Sequence, residues 1–133
     1  MKKYLFTLCM FLTAISLPSC DTDDDETIFD SIVGRVWIGD LGMIAPADGF
    51  PLESAVYFGG DGFGKDDLVY YDNGEPYGVY NIQWDAYDGN IYINYGNMAP
   101  PRELHDVRVR RGTLTGTLYI YGSYYGPVTL RMQ

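Results

Sequence analysis

Glycine and proline turns divide the chain after Thr27 into short segments, and this spacing limits the possible folds more than any other feature. Turn signals such as Asp72-Asn73-Gly74 and Asp88-Gly89-Asn90 recur every 8 to 12 residues. Such sequences favour hairpins. Between them tyrosines and β-branched residues predominate, and no window of 11 residues keeps a helical period. The segments are therefore predicted to be β-strands, with no helix.

Alternation of apolar and polar residues predicts which side of each strand faces a core. The first strand is predicted over 32–41, a loop over 43–52, a turn over 59–65 and the third strand over 68–71. From there on the predicted inward residues are Tyr80, Ile82, Trp84, Ile91, Ile93, Tyr95, Val107, Val109, Leu114, Leu118, Ile120, Val128, Leu130 and Met132.

Short turns require neighbouring strands to be antiparallel, and a sheet with one apolar face must fold over to bury it. The predicted fold class is therefore all-β: an antiparallel meander of about eight strands that closes as a small barrel. A two-sheet β-sandwich is the alternative.

Three motifs resemble the lipocalin-like domains of bacterial envelope lipoproteins over about residues 31–133. Gly34 and Trp37 match a Gly and a Trp on the first strand of that family, and 58–64 (Phe-Gly-Gly-Asp-Gly-Phe-Gly) is similar to its Phe-x-x-Asp-Gly-x-Gly hairpin. Trp84 with Ile91 and Ile93 matches a later pair of strands. The resemblance implies a lipocalin-like barrel that binds a ligand in its mouth.

The N-terminal segment 1–19 has the features of a secretion signal. A basic head, Met1-Lys2-Lys3, precedes an apolar run of 14 residues from Tyr4 to Leu17, which is too short to cross a bilayer. Leu17, Ser19 and Cys20 resemble the lipobox of bacterial lipoprotein precursors. That resemblance implies acyl chains on Cys20, a covalent lipid and no other cofactor, with stable membrane anchoring. A plain signal peptide with an incidental Cys is the alternative.

Five acids in six residues follow that cysteine, and they are predicted to form an extended tether within 20–30. The run consists of Asp21, Asp23, Asp24, Asp25 and Glu26 around Thr22. It resembles the acidic tether of Bacteroidota lipoproteins that are exported to the cell surface. This implies an outer-membrane protein that faces the outside. A Ca²⁺ loop is disfavoured because Glu26 occupies the place of the required Gly.

Charge and cysteine content exclude several classes of function. The chain carries a formal net charge of −9, or −11 after Cys20, which argues against nucleic-acid partners and against attraction to anionic lipid. The segment 102–133 is nevertheless locally basic. Cys9 leaves with the signal and Cys20 carries lipid, so no disulfide is predicted.

Residues suited to catalysis are few. His105 is the single histidine, so a histidine-based metal site or a Ser-His-Asp relay would depend on this one residue, and the sequence shows no partner residue for it. Asp61, Asp66 and Asp67 lie near a glycine-rich turn and are the candidates for binding a metal ion. Asp-Gly sequences are common in turns, however, because these residues adopt the backbone angles that a turn requires. No metal site is predicted. A hydrolase ranks last among the possible functions, because no pair of carboxylates stands out.

Tyrosine is abundant, with 13 in the chain. Tyr119 and Tyr121 are predicted to face one side of a strand, with Tyr124 and Tyr125 on the adjoining loop, and together they form a candidate site for glycan or protein partners. The alternative is that tyrosine simply suits half-buried sheet.

The predicted function is a non-enzymatic, ligand-binding or structural barrel. The second reading is an accessory protein that binds through the tyrosine face.

Overall fold

The computed structural model describes residues 25–133, with side chains from Ile28 onward. The predicted signal 1–19, Cys20 and the acids Asp21, Asp23 and Asp24 lie outside the described residues. The elements are α1 (Asp25–Ile32), β1 (Val36–Ile44), β2 (Pro51–Phe58), β3 (Phe63–Tyr70), β4 (Pro76–Tyr87), β5 (Asn90–Asn94), β6 (Arg102–Arg110), β7 (Thr113–Ile120) and β8 (Ser123–Met132).

The eight strands form a closed barrel in which each strand pairs with the next and β8 pairs with β1. All eight pairings are antiparallel. The predicted all-β meander of eight strands is thus confirmed, and the alternative two-sheet sandwich is wrong. Closure leaves no unpaired edge strand to recruit other chains.

Several predicted boundaries are wrong because the turns are tighter than glycine content suggested. β3 begins at Phe63 rather than at residue 68. The carboxylate of Asp61 accepts a hydrogen bond of 3.1 Å from the Phe63 amide, which ends the turn within four residues. Gly64 then lies inside the strand, where a Cβ would collide with the carbonyl oxygen of Tyr57. Gly64 is therefore required because β2 and β3 lie close together here, and not because the chain turns.

The absence of a helix was a wrong prediction, since α1 spans Asp25–Ile32. Its buried residues Ile28 and Ile32 are four apart, and Phe29 stacks on Trp84 at 4.9 Å. Eight residues are too few to show a period in a longer window. Asp25 and Glu26, the last two acids of the predicted extended tether, belong to this helix, so the chain is helical rather than extended over 25–32. Gly34 (φ +75°) ends the segment and leads into β1.

Helix α1 closes one end of the barrel, and apolar side chains fill the interior above it. Trp37 donates its indole N–H to the Ile32 carbonyl at 3.2 Å, and Trp84 donates to the Gly59 carbonyl at 2.9 Å. Nearly all the predicted inward residues are buried or half-buried. The exception is Met132, which lies at the barrel end and is 39% exposed. The closed end is therefore packed rather than hollow.

Candidate functional site: the open end of the barrel

The end opposite α1 carries four connections and no helix. These are the β1–β2 loop over 45–50, the β3–β4 turn over 71–75, the β5–β6 loop over 95–101 and the β7–β8 turn over 121–122. The entrance to the interior therefore lies between these loops, and we call it the open end.

Strand β1 leaves β8 and bulges against β2 as it approaches the open end. It pairs with β8 only from Trp37 to Gly39, and its pairing with β2 shifts between Gly39 and Met43. Asp40 stabilises this bulge by accepting a hydrogen bond of 2.7 Å from the Gly42 amide, with Gly42 at φ +74°. The bulge leaves the backbone carbonyls of Leu41 and Gly42 without strand partners.

Arg102 fills this gap from the far side of the barrel. Its Nε donates to the Leu41 carbonyl at 2.9 Å, and its Nη2 donates to the Gly42 carbonyl at 3.0 Å. Its Nη1 donates to the Pro100 carbonyl at 2.6 Å. Burial lowers the pKa of the guanidinium below its usual value, although nearby Tyr95 and Asp66 oppose this shift. Arg102 thus links the β1 bulge to the β5–β6 loop.

Asp66 is the second charged group inside the barrel and is fully buried. Its Oδ2 accepts hydrogen bonds from the hydroxyls of Tyr95 at 2.8 Å and Ser54 at 2.9 Å. Among the described residues Oδ1 is buried and has no hydrogen-bond partner. Desolvation raises the pKa of Asp66 above 3.8, and the two hydroxyls and the positive charge of Arg102 offset this only in part. The open half of the interior is therefore polar, unlike the closed half.

Four tyrosine rings connect this polar layer to the loops. Tyr70, Tyr77, Tyr80 and Tyr95 contact one another edge to face, with ring centroids 5.8 to 6.5 Å apart. The Arg102 guanidinium lies 5.7 Å from the centre of the Tyr95 ring, within the range of a cation–π contact. The row stiffens one wall of the entrance.

Burial of Asp66 leads to a prediction about pH. Because its folded pKa is raised, its stabilising contribution is present at low pH and is lost as pH rises through the folded value. We expect unfolding free energy to fall as pH rises above about 4, and Asp66→Asn to remove part of that slope. Urea titrations from pH 4 to 8 would measure it. The control Asp67→Asn, at the exposed neighbour, should keep the slope; an unchanged slope in Asp66→Asn would contradict the assignment.

A pocket of about 430 Å³ opens between the loops, above Arg102. Its wall is mainly apolar, and its polar residues are Arg102 and two tyrosines. The lining residues are Gly42, Met43, Ile44, Pro46, Tyr80, Met98, Ala99, Pro100, Arg102, Ile120 and Tyr125. A pocket with mostly apolar walls and a few polar groups is typical of sites for small ligands.

Exposed apolar side chains form a ring at or beside the four connections of the open end, and three of them, Ile44, Met98 and Tyr125, line this pocket. Ile44 is 58% exposed, Met98 is 55% exposed and Tyr121 is 77% exposed, and Phe50, Tyr71 and Tyr125 are also exposed. Single exposed apolar residues are common, but a ring of them around a pocket marks an interaction surface. Alternation within single strands does not predict this ring, because its members lie on separate loops and strand ends.

The four predicted site tyrosines do not form one strip, and Tyr124 and Tyr125, predicted on a loop, lie in strand β8. Tyr125 lines the open-end pocket, and Tyr121 occupies the tip of the β7–β8 turn at φ 56°. Tyr119 and Tyr124 pair across β7 and β8 on the outer face, with ring centroids 5.9 Å apart. A β-bulge between Leu118 and Tyr119 causes the separation, because it places Tyr124 rather than Tyr125 opposite Tyr119.

Tyr119 belongs to a row of five rings on the outside of the barrel. Tyr87 stacks on Tyr92 at 4.6 Å, and His105 stacks on Tyr119 at 4.2 Å; edge contacts from Tyr92 to His105 and from Tyr119 to Tyr124 complete the row. The row covers one ring face in each member of a stacked pair and leaves Tyr87 and Tyr124, at its two ends, exposed. It stabilises the sheet through cross-strand pairs. His105 also contacts Glu103 at 2.8 Å.

A shallow cleft of about 570 Å³ borders this row. Its outward side chains combine two rings with amides and acids, namely Phe63, Tyr92, Gln83, Asn94, Asp61, Asp85 and Glu103. Amides and carboxylates bind hydroxyl groups, and the exposed ring of Phe63 offers a free face. This cleft suits a polar, hydroxyl-rich ligand better than an apolar one.

Comparison with known proteins finds no matching family model, no matching curated protein and no matching solved structure.

Within residues 25–133 no group of three or more His, Cys, Asp or Glu side chains is placed to hold a metal ion. The same part of the chain has no helix long and apolar enough to span a membrane. Asp61 and Asp66, considered for metal from the sequence, are separated: Asp61 lies at a surface turn and Asp66 inside the barrel.

Proposed function

We propose that this protein is a lipid-anchored protein of the outer membrane, exposed at the cell surface, whose barrel binds a small amphipathic ligand at its open end without catalysis. The observation that carries the binding proposal is the apolar pocket with its ring of exposed hydrophobic residues. Its volume lies within the range of about 300–1,000 Å³ usual for ligand pockets.

In this proposal the anchor and the pocket lie at opposite ends of the barrel. The signal and lipobox features at 1–20 support acylation of Cys20, and the acidic run supports surface export. The described chain enters through α1, at the closed end of the barrel. An anchor attached there leaves the open end facing away from the membrane, where ligands are accessible.

The chemistry of the pocket indicates the class of ligand. Met43, Met98 and Ile120 suit an apolar body, and methionine adapts to irregular shapes. The guanidinium of Arg102 at the base of the pocket favours a ligand with an acidic group. No pair of carboxylates or nucleophile with a base lines this pocket, so binding fits its residues better than hydrolysis does.

Binding of anilinonaphthalene sulfonate, an apolar probe with one anionic group, tests this proposal. We expect Met98→Glu to weaken binding about tenfold, because it removes an apolar contact and adds a charge that repels the sulfonate. Fluorescence titration of the chain from residue 20, carrying Cys20→Ser, would measure the affinity. Met132→Glu is the matched control, since it places the same change at the closed end; equal weakening in both variants would contradict the proposal.

The outer cleft supports a second candidate function, which is binding of a neutral glycan. The observation that favours it is the combination of Phe63 and Tyr92 with the amides of Gln83 and Asn94 in one cleft. A glycan bound there would be lost in Phe63→Ala and retained in Met98→Glu. Screening these two variants on a glycan array separates this candidate from open-end binding.

A further inference from the structure

The basic residues of the folded domain are concentrated at its closed end. Arg102 is buried near the open end, while Arg35, Lys65, Arg108, Arg110, Arg111 and Arg131 all lie in the half nearest α1. Four of these, Arg35, Arg110, Arg111 and Arg131, surround the β6–β7 turn and the end of β8. We call these four the arginine cluster.

Strand register places the members of the cluster close together. Arg110 pairs with Thr113, and Thr113 pairs with Arg131, so the two arginines are two strand spacings apart, about 10 Å. Arg111 follows in the turn at φ 50°. The Nη1 of Arg35 lies 3.3 Å from the sulfur of Met132, next to Arg131. All four side chains are exposed.

Folding alone does not explain this cluster. Within residues 28–133 no ion pair joins any of the four arginines to a carboxylate. Like charges that are close together repel, which costs stability. Arg108, which lies beside Asp88 and Asp106, is left out of the cluster. A concentrated positive surface without internal partners indicates an anionic partner outside the domain.

We propose that the arginine cluster docks on phosphate-bearing lipid headgroups of the membrane that holds the anchor. This rests on the anchoring part of the proposed function. Only four residues separate Cys20 from Asp25, and an extended chain of that length spans roughly 14 Å. The closed end, with its arginines, is therefore held beside the membrane surface.

The acidic net charge does not prevent this docking. At physiological salt the Debye length is about 8 Å, so charges farther than this from the surface have little effect. An eight-residue strand is about 26 Å long, which places acids of the open end such as Asp72 and Glu75 beyond that range. Exposed acids also lie at the closed end, among them Asp61 at the β2–β3 turn, Asp88 at the β4–β5 turn and Asp106 in β6, whereas the arginine cluster lies around the β6–β7 turn, the end of β8 and the start of β1. We therefore expect attraction of headgroups at the cluster itself and not at the whole closed end.

Docking fixes the orientation of the barrel as well as its position. An anchor on one short tether allows the domain to tilt, whereas contact through four arginines holds the closed end down. The open-end pocket then faces the external medium.

Vesicle sedimentation with the chain from residue 20, carrying Cys20→Ser, tests this proposal without any lipid anchor. We expect binding to vesicles of phosphatidylcholine with phosphatidylglycerol, weak binding to phosphatidylcholine alone, and release at high salt. Each arginine near an anionic surface contributes about fivefold, so Arg110→Gln with Arg111→Gln should weaken binding roughly 20-fold. Lys65→Gln, outside the cluster, is the control and should change it less than twofold.

Two outcomes would overturn the proposal. One is equal binding to both kinds of vesicle. The other is binding that appears only after Asp21, Asp23 and Asp24 are replaced by Asn, which would show that the acidic run occupies the arginines instead. Probe binding at the open end is measured without vesicles, so failure of headgroup docking and failure of the ligand proposal are distinguishable.

Discussion

Replacing Arg102 with methionine should lower the free energy of unfolding by about 3–5 kcal/mol, a large fraction of the stability of a small domain. Methionine fills much of the volume but donates no hydrogen bond. The carbonyls of Leu41, Gly42 and Pro100 would each lose a charged donor. Such bonds are worth about 1.5–3 kcal/mol each, and water near the open end recovers part of the loss.

Urea unfolding of the chain from residue 20, with Cys20→Ser, would measure this effect. Arg110→Met is a matched control on the same strand, because it makes the same change at an exposed position and should alter stability by less than about 0.5 kcal/mol. Arg102→Lys should be intermediate, since an ammonium keeps the charge but does not reach three carbonyls in the fork geometry. A loss below about 1 kcal/mol in Arg102→Met would show that the β1 bulge does not depend on this side chain.

The inward positions of Arg102 and Asp66 could have been predicted from the sequence. They were overlooked because charged residues are not expected inside a barrel. Leu104 and Leu68 are inward, so a period of two places Arg102 and Asp66 inward as well. The sequence analysis considered Asp66 only as a neighbour of the glycine-rich turn and Arg102 only as part of the basic segment 102–133. A charged residue at an inward position indicates a functional or structural polar cluster. Such residues are found when the alternation is continued beyond the predicted ends of the strands.

The barrel itself was predictable, because hairpin signals and alternation act between residues close in sequence. Closure by β8 and β1 was also predicted, because a sheet with one apolar face must bury it. The register of that pairing was not, since only three residue pairs form it and their members are more than 90 positions apart. The register shift between β7 and β8 could not be predicted either, and it places Tyr124 rather than Tyr125 opposite Tyr119. The open-end pocket depends on both features, so it could not be located from the sequence.

Replacing Cys20 with alanine should abolish lipid attachment and move the protein from the membrane to the soluble fraction. One acyl chain gives only marginal, reversible binding, whereas two or more give stable anchoring. Loss of the acylated thiol therefore removes the whole anchoring energy. Labelling with palmitate and fractionation of cells would measure both effects. Cys9→Ala is the matched control, because Cys9 lies in the apolar signal and should not carry lipid.

The Cys20→Ala protein also separates anchoring by lipid from attraction through the arginine cluster. Several arginines at an anionic surface give a salt-sensitive, reversible interaction, and an acyl anchor resists salt. We therefore expect any membrane-associated remainder of the variant to be released at high salt, while the Cys9→Ala protein stays bound. Palmitate label on Cys20→Ala, or a salt-resistant membrane fraction of that variant, would refute the lipoprotein assignment and leave the N-terminal apolar run as the anchor.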